Sequence, residues 1–141
     1  MKKLLKIIII MSFIARLEVA GRKYNIINVN YSLAQETDPT GRPSAQIRGG
    51  RIEITLRSTN ETRFFEWMTN SYRKKNGKVV FLKKGSNTTL KELNFTDGYV
   101  VKYKEKFDVL GMGRSSITET FTISAKAISM GLGEHVNKWI G

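Results

Sequence analysis

Hydrophobic and polar residues alternate along most of the chain with the period of two that is typical of β-strands. The predicted strands cover, in order, residues 13–19, 27–33, 51–57, 79–82, 90–95, 99–109 and 117–127. Turn residues interrupt the pattern, and the clearest of them is Asp97–Gly98, a dipeptide typical of β-hairpins. The alternation therefore predicts a mainly β protein, a small antiparallel barrel or sandwich of about seven to nine strands.

The alternation also predicts which side chains face the core. In the second strand these are Ile27, Val29, Tyr31 and Leu33. In the two longest strands they are Tyr99, Val101, Tyr103, Phe107 and Val109, and then Ile117, Phe121, Ile123, Ala125 and Ala127. The opposite faces carry Lys102, Lys104 and Lys106, and Thr118, Thr120, Thr122 and Ser124. We expect the carboxylates Glu53, Asp108 and Glu119 to lie on the surface like ordinary strand residues.

One segment departs from the alternation and predicts a helix at about residues 59–73. The sequence from Ser58 to Glu61 fits a capping box, in which the serine and glutamate side chains bond to free N–H groups of the first turn. An apolar stripe follows at helical spacing, formed by Phe64, Phe65, Met68 and Tyr72. We expect this stripe to pack on the sheet and not to hold a cofactor.

With 141 residues, the chain is long enough for one domain with a real core. Because the strand pattern begins just after Met11, we assign residues 11–141 to this domain and residues 1–10 to an extension outside the core. The extension has the basic start and apolar run of a signal peptide, but Lys6 interrupts the run and no small-residue cleavage site follows. We therefore expect a misplaced start or an added segment, too short to cross a bilayer.

Residues that catalysis or metal binding would need are sparse. Cysteine is absent and His135 is the single histidine, which leaves no thiolate and no second imidazole for a metal site. We expect His135 to be structural or exposed. The carboxylates are scattered, and the glycine pairs at 111–113 and 131–133 do not open a helix as phosphate-binding loops do. The sequence thus predicts no catalytic site, no cofactor and no metal.

The chain is strongly basic, with 24 Lys and Arg against 12 Asp and Glu and a net charge of +12. Such a field attracts polyanions, whether nucleic acid, anionic lipid or an acidic protein. Its clearest local expression is a basic face formed by Lys102, Lys104 and Lys106. Proteins that bind single strands place aromatic rings beside such cations, whereas the alternation sends Tyr99, Tyr103 and Phe107 to the other side. A small nucleic-acid-binding barrel is therefore the alternative function and not the favoured one.

Three stretches of the chain resemble the haemolysin-coregulated protein (Hcp) family of type VI secretion, in the form found in Bacteroidetes. The first runs from Tyr31 through the loop Asp38-Pro39-Thr40-Gly41-Arg42-Pro43-Ser44 to Gly49-Gly50-Arg51-Ile52. The second is Glu66-Trp67-Met68, and the third runs from Tyr103 through residues 120–124 to Gly133-Glu134-His135-Val136-Asn137-Lys138-Trp139. Together with the strand order, the resemblance covers essentially all of residues 11–141, whereas the first ten residues and the basic charge depart from the family pattern.

The resemblance implies a barrel flanked by a helix, assembling as hexameric rings that stack into a hollow tube. It implies a structural role without catalysis, with sheath, spike, baseplate and secreted effector proteins as partners. Assembly would occur in the cytoplasm and the tube would leave the cell on firing, with no specific nucleic acid and no stable membrane insertion. A related phage-tail-like particle is the alternative within this class.

The loop from Thr37 to Ser44 is the candidate contact between stacked rings. It contains two prolines and one glycine, so we expect a stiff projection. The residues proposed for the contact are Asp38, Pro39, Gly41, Arg42, Pro43 and Ser44.

Overall fold

The computed structural model describes residues 12–139, which form seven strands and one helix. The strands are β1 (Phe13–Val19), β2 (Arg22–Tyr31), β3 (Arg51–Arg57), β4 (Lys75–Lys83), β5 (Thr89–Gly111), β6 (Arg114–Met130) and β7 (Gly133–Val136). The helix, α1 (Arg63–Thr69), lies between β3 and β4 in the chain. The predicted extension of residues 1–10 lies outside the described residues.

The sheet closes on itself. Its strands pair antiparallel in the order β3-β2-β1-β4-β5-β6-β7, and β3 also pairs with β6. The first six strands therefore form a closed barrel, with β7 as an additional strand beside β6. The predicted mainly β barrel with one flanking helix is confirmed. Within residues 12–139, no helix has the length and apolar character needed to cross a membrane.

Inward-facing residues from all six barrel strands meet in one core. Leu17, Ile52, Ile54, Phe121 and Ile123 have no solvent exposure. On the β3–β6 pair, Ile54 lies directly opposite Phe121 and Ile52 opposite Ile123. Burial of these apolar surfaces, at about 25 cal/mol per Å², is the main force that holds the barrel together.

The helix packs across the barrel end at which β3 finishes and β2 and β4 begin. The Phe64 ring stacks on Phe121 with centroids 4.2 Å apart and meets the Tyr24 ring at 4.9 Å. Trp67 is buried beside it, and Lys75 lies over the Trp67 ring at 4.9 Å from its centroid. The helix thus contributes two aromatic residues to the core of the barrel.

The helix is shorter than the sequence predicts, and its predicted capping box does not form. It begins at Arg63 after Thr62, whose hydroxyl donates to the Glu66 carboxylate at 2.7 Å. Ser58 lies well before the helix, and its hydroxyl donates to Glu105 on β5 at 2.6 Å. In the predicted stripe Phe64 is buried, whereas the other three residues are exposed: Phe65, Met68 and Tyr72. Trp67 is buried instead, because Phe64 and Trp67 are three residues apart and so lie on the same face of the helix, which faces the core.

Asp97–Gly98 is a bend within β5 and not the predicted hairpin turn. β5 continues without a break from Thr89 to Gly111. Asp97 has φ of 52°, and its N–H donates to the Asn76 side-chain oxygen at 2.9 Å. A Cβ on Gly98 would lie 2.8 Å from Ile123 Cγ2, so glycine lets the bent strand approach the core. Two predicted strands are therefore one long strand.

Two β-bulges change the predicted faces. In β2, an irregularity between Ile26 and Asn28 turns Ile26 towards the core and leaves Ile27 exposed. In β5, an irregularity between Val100 and Lys102 buries Val100 and exposes Val101. A bulge adds one residue to a strand and so reverses the alternation beyond it.

Candidate functional site

An ordered arm projects between β2 and β3 and comprises residues 32–49. Its two sides are joined at Ala34 and Arg48, which exchange backbone hydrogen bonds of 3.0 and 2.7 Å, and again at Thr37 and Pro43. An ion pair of 2.8 Å between Arg48 and Glu36 also joins the two sides. The arm is therefore a narrow, internally bonded projection and not an open loop.

The arm tip, residues 38–44, is held by the Asp38 side chain. Asp38 Oδ1 accepts hydrogen bonds from the Thr40 N–H at 2.9 Å, the Thr40 hydroxyl at 2.6 Å and the Arg42 N–H at 3.1 Å. These bonds, led by that from the Thr40 hydroxyl, lower the pKa of Asp38 below its usual value. Pro39 follows Asp38 in the turn, and Gly41 has φ of 88°, a value that favours glycine. The tip is thus formed before it meets any partner.

The base of the arm is tied to the C-terminal segment through Asn137. Its side-chain N–H₂ group donates to the Gly49 and Ala125 carbonyls, each at 3.0 Å, and its oxygen lies 3.0 Å from His135 Nε2. Gly50 has φ of 95°, and a Cβ there would lie 2.5 Å from the Asn137 amide nitrogen. The first and third of the family-like stretches therefore meet in space. The sequence does not predict this contact, since no spacing rule connects residues so far apart.

The basic face lies on the outer side of β5 and β6. Lys102, Lys104 and Lys106 are exposed and pair in register with Thr122, Thr120 and Thr118 respectively. Together with Glu53 these residues line a cavity of about 250 Å³. The three lysines therefore lie on one side of β5, and their role as a binding face stays a prediction.

The aromatic residues do not all lie opposite these lysines. Tyr103 packs against the core as predicted. Tyr99 is paired with Ser124 and so lies on the same side as Lys102, because the bulge at Val101 reverses the alternation. Its ring contacts Trp139, with centroids 5.8 Å apart.

Glu119 was predicted to be an ordinary surface residue, and that prediction is wrong. It lies on the same side of β6 as Phe121 and is only 6% exposed. The Tyr103 hydroxyl donates to its Oε2 at 2.8 Å. Burial raises the pKa of Glu119, an effect that the Tyr103 hydrogen bond opposes and the nearby Glu105 carboxylate strengthens. Burial, together with Glu119, also raises the pKa of Tyr103, which therefore keeps its proton and acts as donor.

β5 and β6 continue beyond the barrel as a two-stranded ribbon, residues 107–117. β3 accompanies β6 only as far as Thr118, so the ribbon has no third strand. Phe107 and Val109 are 60% and 75% exposed, although the alternation places them on the core face. The predicted face is right and the predicted burial is wrong, because the barrel ends before it reaches them.

The described residues form a closed barrel that carries an ordered arm at one end and a ribbon at the other. Residues 11–140 match the model of the family described as hemolysin coregulated protein Hcp (TssD), and the chain belongs to this family. It is accordingly a structural subunit of the tube of a type VI secretion apparatus, and the alternative of a nucleic-acid-binding barrel is not supported. In the described residues, no group of three or more His, Asp or Glu side chains could hold a metal ion.

Solved structures share this fold. Hcp1 from Flavobacterium johnsoniae is 56% identical, with a TM-score of 0.82 over 88% of this chain and 99% of that one. Hcp1 from Salmonella typhimurium is 13% identical, with a TM-score of 0.67 over 85% of this chain and 86% of that one. A chain in the sheath–tube complex of an extracellular contractile injection system, PVC, is 14% identical, with a TM-score of 0.53 over 83% and 87% of the two chains. No curated protein sequence matches the chain.

Proposed function

We propose that this subunit forms homohexameric rings, which stack into a hollow tube that carries a spike and effector proteins. Sheath and baseplate proteins are the further partners, and a chain of the same fold is part of a solved sheath–tube complex. The tube assembles in the cytoplasm and is expelled from the cell when the sheath contracts. The subunit acts by assembly and performs no catalytic step.

The observation that carries the stacking proposal is the arm. Its tip is preformed by the three hydrogen bonds to Asp38, and its base is fixed by Asn137. A preformed projection loses little conformational entropy when it docks, so more of the contact energy appears as affinity. The proposed contacts with the next ring are Asp38, Pro39, Gly41, Arg42, Pro43 and Ser44.

The basic face serves contacts with acidic protein surfaces in this proposal. Lys102 and Lys104 are exposed beside the hydroxyl groups of Thr122 and Thr120, a surface with cations and hydrogen-bond donors. Carboxylates are the protein groups that such a surface attracts.

Replacement of residues 38–44 by a short Gly/Ser linker tests the role of the arm. We expect the variant to fold and to form rings by light scattering, while negative-stain microscopy shows no stacked tubes. Replacement of Ser86–Thr88, in the turn between β4 and β5, by Gly/Ser residues is the matched control and should leave the tubes unchanged. If the arm variant forms tubes of normal length, the arm only connects β2 and β3. If it forms no rings, the arm contributes to the contact within a ring and not to the contact between rings. Wild-type protein that stays monomeric would contradict the tube itself.

A further inference from the structure

The ribbon ends in an unusual apolar apex, residues 110–114. Gly111 pairs with Arg114, so Met112 and Gly113 form a two-residue turn in which both have positive φ, 53° and 72°. Such turns favour Asn-Gly, and a methionine in this conformation is strained. The Met112 side chain is nevertheless 97% exposed, and Leu110 beside it is also exposed. A strained, fully exposed methionine stabilises nothing within its own chain.

An apolar pocket of matching character lies at the other end of the molecule. It has a volume of about 280 Å³, and its walls include Tyr31, Leu33, Ile47, Ile128 and Met130. Leu33 and Ile47 belong to the two sides of the arm close to its base, and both are exposed. A cavity of about 150 Å³ lined by apolar side chains suffices for benzene, so this pocket has room for one or two apolar side chains.

The apex cannot fill the pocket of its own chain. The apex includes Arg114, the first residue of β6, whereas Ile128 and Met130 lie among the last three residues of that strand. The 17 residues of β6 span roughly 55 Å along their path. Complementary surfaces at opposite ends of one molecule produce a head-to-tail contact between copies.

The charges beside the two surfaces are also complementary. Arg114 is the charged residue of the apex, and Glu134 is the acidic residue that lines the pocket. Neither forms an ion pair with another residue in the described part of the chain. Docking would bring these two opposite charges together and offset part of the repulsion between chains of net charge +12.

We propose that the ribbon apex of one subunit inserts Met112 and Leu110 into the pocket at the base of the arm of a second copy. This inference rests on the proposed tube, and because the pocket adjoins the arm it assigns the apex to the contact between successive rings. The exposed Phe107 and Val109 extend that contact along the ribbon. The arm of one ring and the ribbon of the next would thus lie side by side.

Met112→Asn separates folding from docking. It creates an Asn-Gly turn, so the melting temperature of the isolated ring should stay the same or rise. It removes the apolar side chain, so we expect the association constant of stacking, measured by sedimentation velocity, to fall about tenfold to a hundredfold, as loss of one buried methionine predicts. Tyr72→Asn, at an exposed position after α1, is the control and should leave stacking unchanged. Unaltered stacking of Met112→Asn rings would overturn the inference.

A cysteine pair tests the contact directly, since the chain has no cysteine of its own. Met112→Cys and Ile47→Cys in one chain should yield, on oxidation, a ladder of covalent multimers on a non-reducing gel, because a disulfide requires Cα atoms within about 7 Å. Each single variant should give no ladder. Dimers from Met112→Cys alone, as abundant as products of the pair, would indicate that two ribbons meet and would overturn the inference. Tubes that give no ladder would also overturn the inference. A ladder from protein that forms no tubes would support the contact between apex and pocket but contradict the proposed tube.

Discussion

Replacement of Phe64 by alanine should weaken the barrel strongly, because this ring joins the helix to the core. Phe64 is 4% exposed and its ring stacks on Phe121 at 4.2 Å, so the substitution leaves a cavity between the helix and β6. Removal of a buried phenylalanine side chain costs about 3–5 kcal/mol. At about 3 °C per kcal/mol for a domain of this size, the melting temperature should fall by roughly 10–15 °C.

The neighbouring Phe65 provides a matched control in the same helix. It is 54% exposed and touches the barrel through one edge contact with Tyr103, at 5.7 Å between centroids. Phe65→Ala removes the same side chain with the same change in helix propensity, and should cost less than about 1.5 kcal/mol. Urea denaturation at one fixed protein concentration measures both variants, because assembly adds to apparent stability. Equal losses for the two variants would refute the view that α1 closes the barrel through Phe64.

Two further changes test polar contacts. The pKa of Glu119 is raised in the folded state, so the native protein holds that proton more tightly than the unfolded chain does. The free energy of unfolding should therefore fall as pH rises from the usual carboxyl range through the raised pKa. Glu119→Gln should remove this fall in a series of urea denaturations against pH, and a wild-type curve without it would contradict the assigned burial. Asn137→Ala removes the donor to the Gly49 and Ala125 carbonyls and should cost about 1–3 kcal/mol, with faster proteolysis of the arm. The exposed Asn28→Ala is its control, and equal stability of the two variants would show that the Asn137 bonds do not hold the arm.

The sequence predicts the barrel well because alternation reports directly on which strand face is buried. Ile52, Ile54 and Leu56 alternate with charged and polar residues in the predicted strand 51–57, and all three are buried. Bulges escape such prediction, since one extra residue at Val101 changes the face of Tyr99 without any change in local composition. Asp97–Gly98 shows the same limit, because a dipeptide that suits a turn also suits a bend when Ile123 lies beneath it.

The sequence indicates where the arm lies but not the hydrogen bonds that fix its shape. Pro39, Gly41 and Pro43 mark the arm as stiff, and the family-like motif indicates its place in the chain. The hydrogen bonds of Asp38 within the tip, and those of Asn137 to the arm base, depend on the folded backbone. Glu119 was misassigned for a different reason. Charged residues usually lie outside, but Glu119 is two residues from Phe121 and therefore lies on the same face of β6. The hydrogen bond from Tyr103 offsets part of the cost of burying it.

Some residues that are predicted to face the core but are exposed lie beyond the two ends of the barrel, and their position bears on assembly. Phe107 and Val109 lie on the core-facing side of β5 but beyond the point at which the barrel ends. Leu33 lies beyond the last residue of β2, and all three side chains are exposed. The sequence thus specifies an apolar face longer than the barrel of one chain can cover, at both ends of the molecule. Exposed apolar surface of this kind destabilises a monomer in water and invites association. In a stack of rings, each end would be covered by the opposite end of the next subunit. Residues that look misplaced in one chain then become part of a core shared between two.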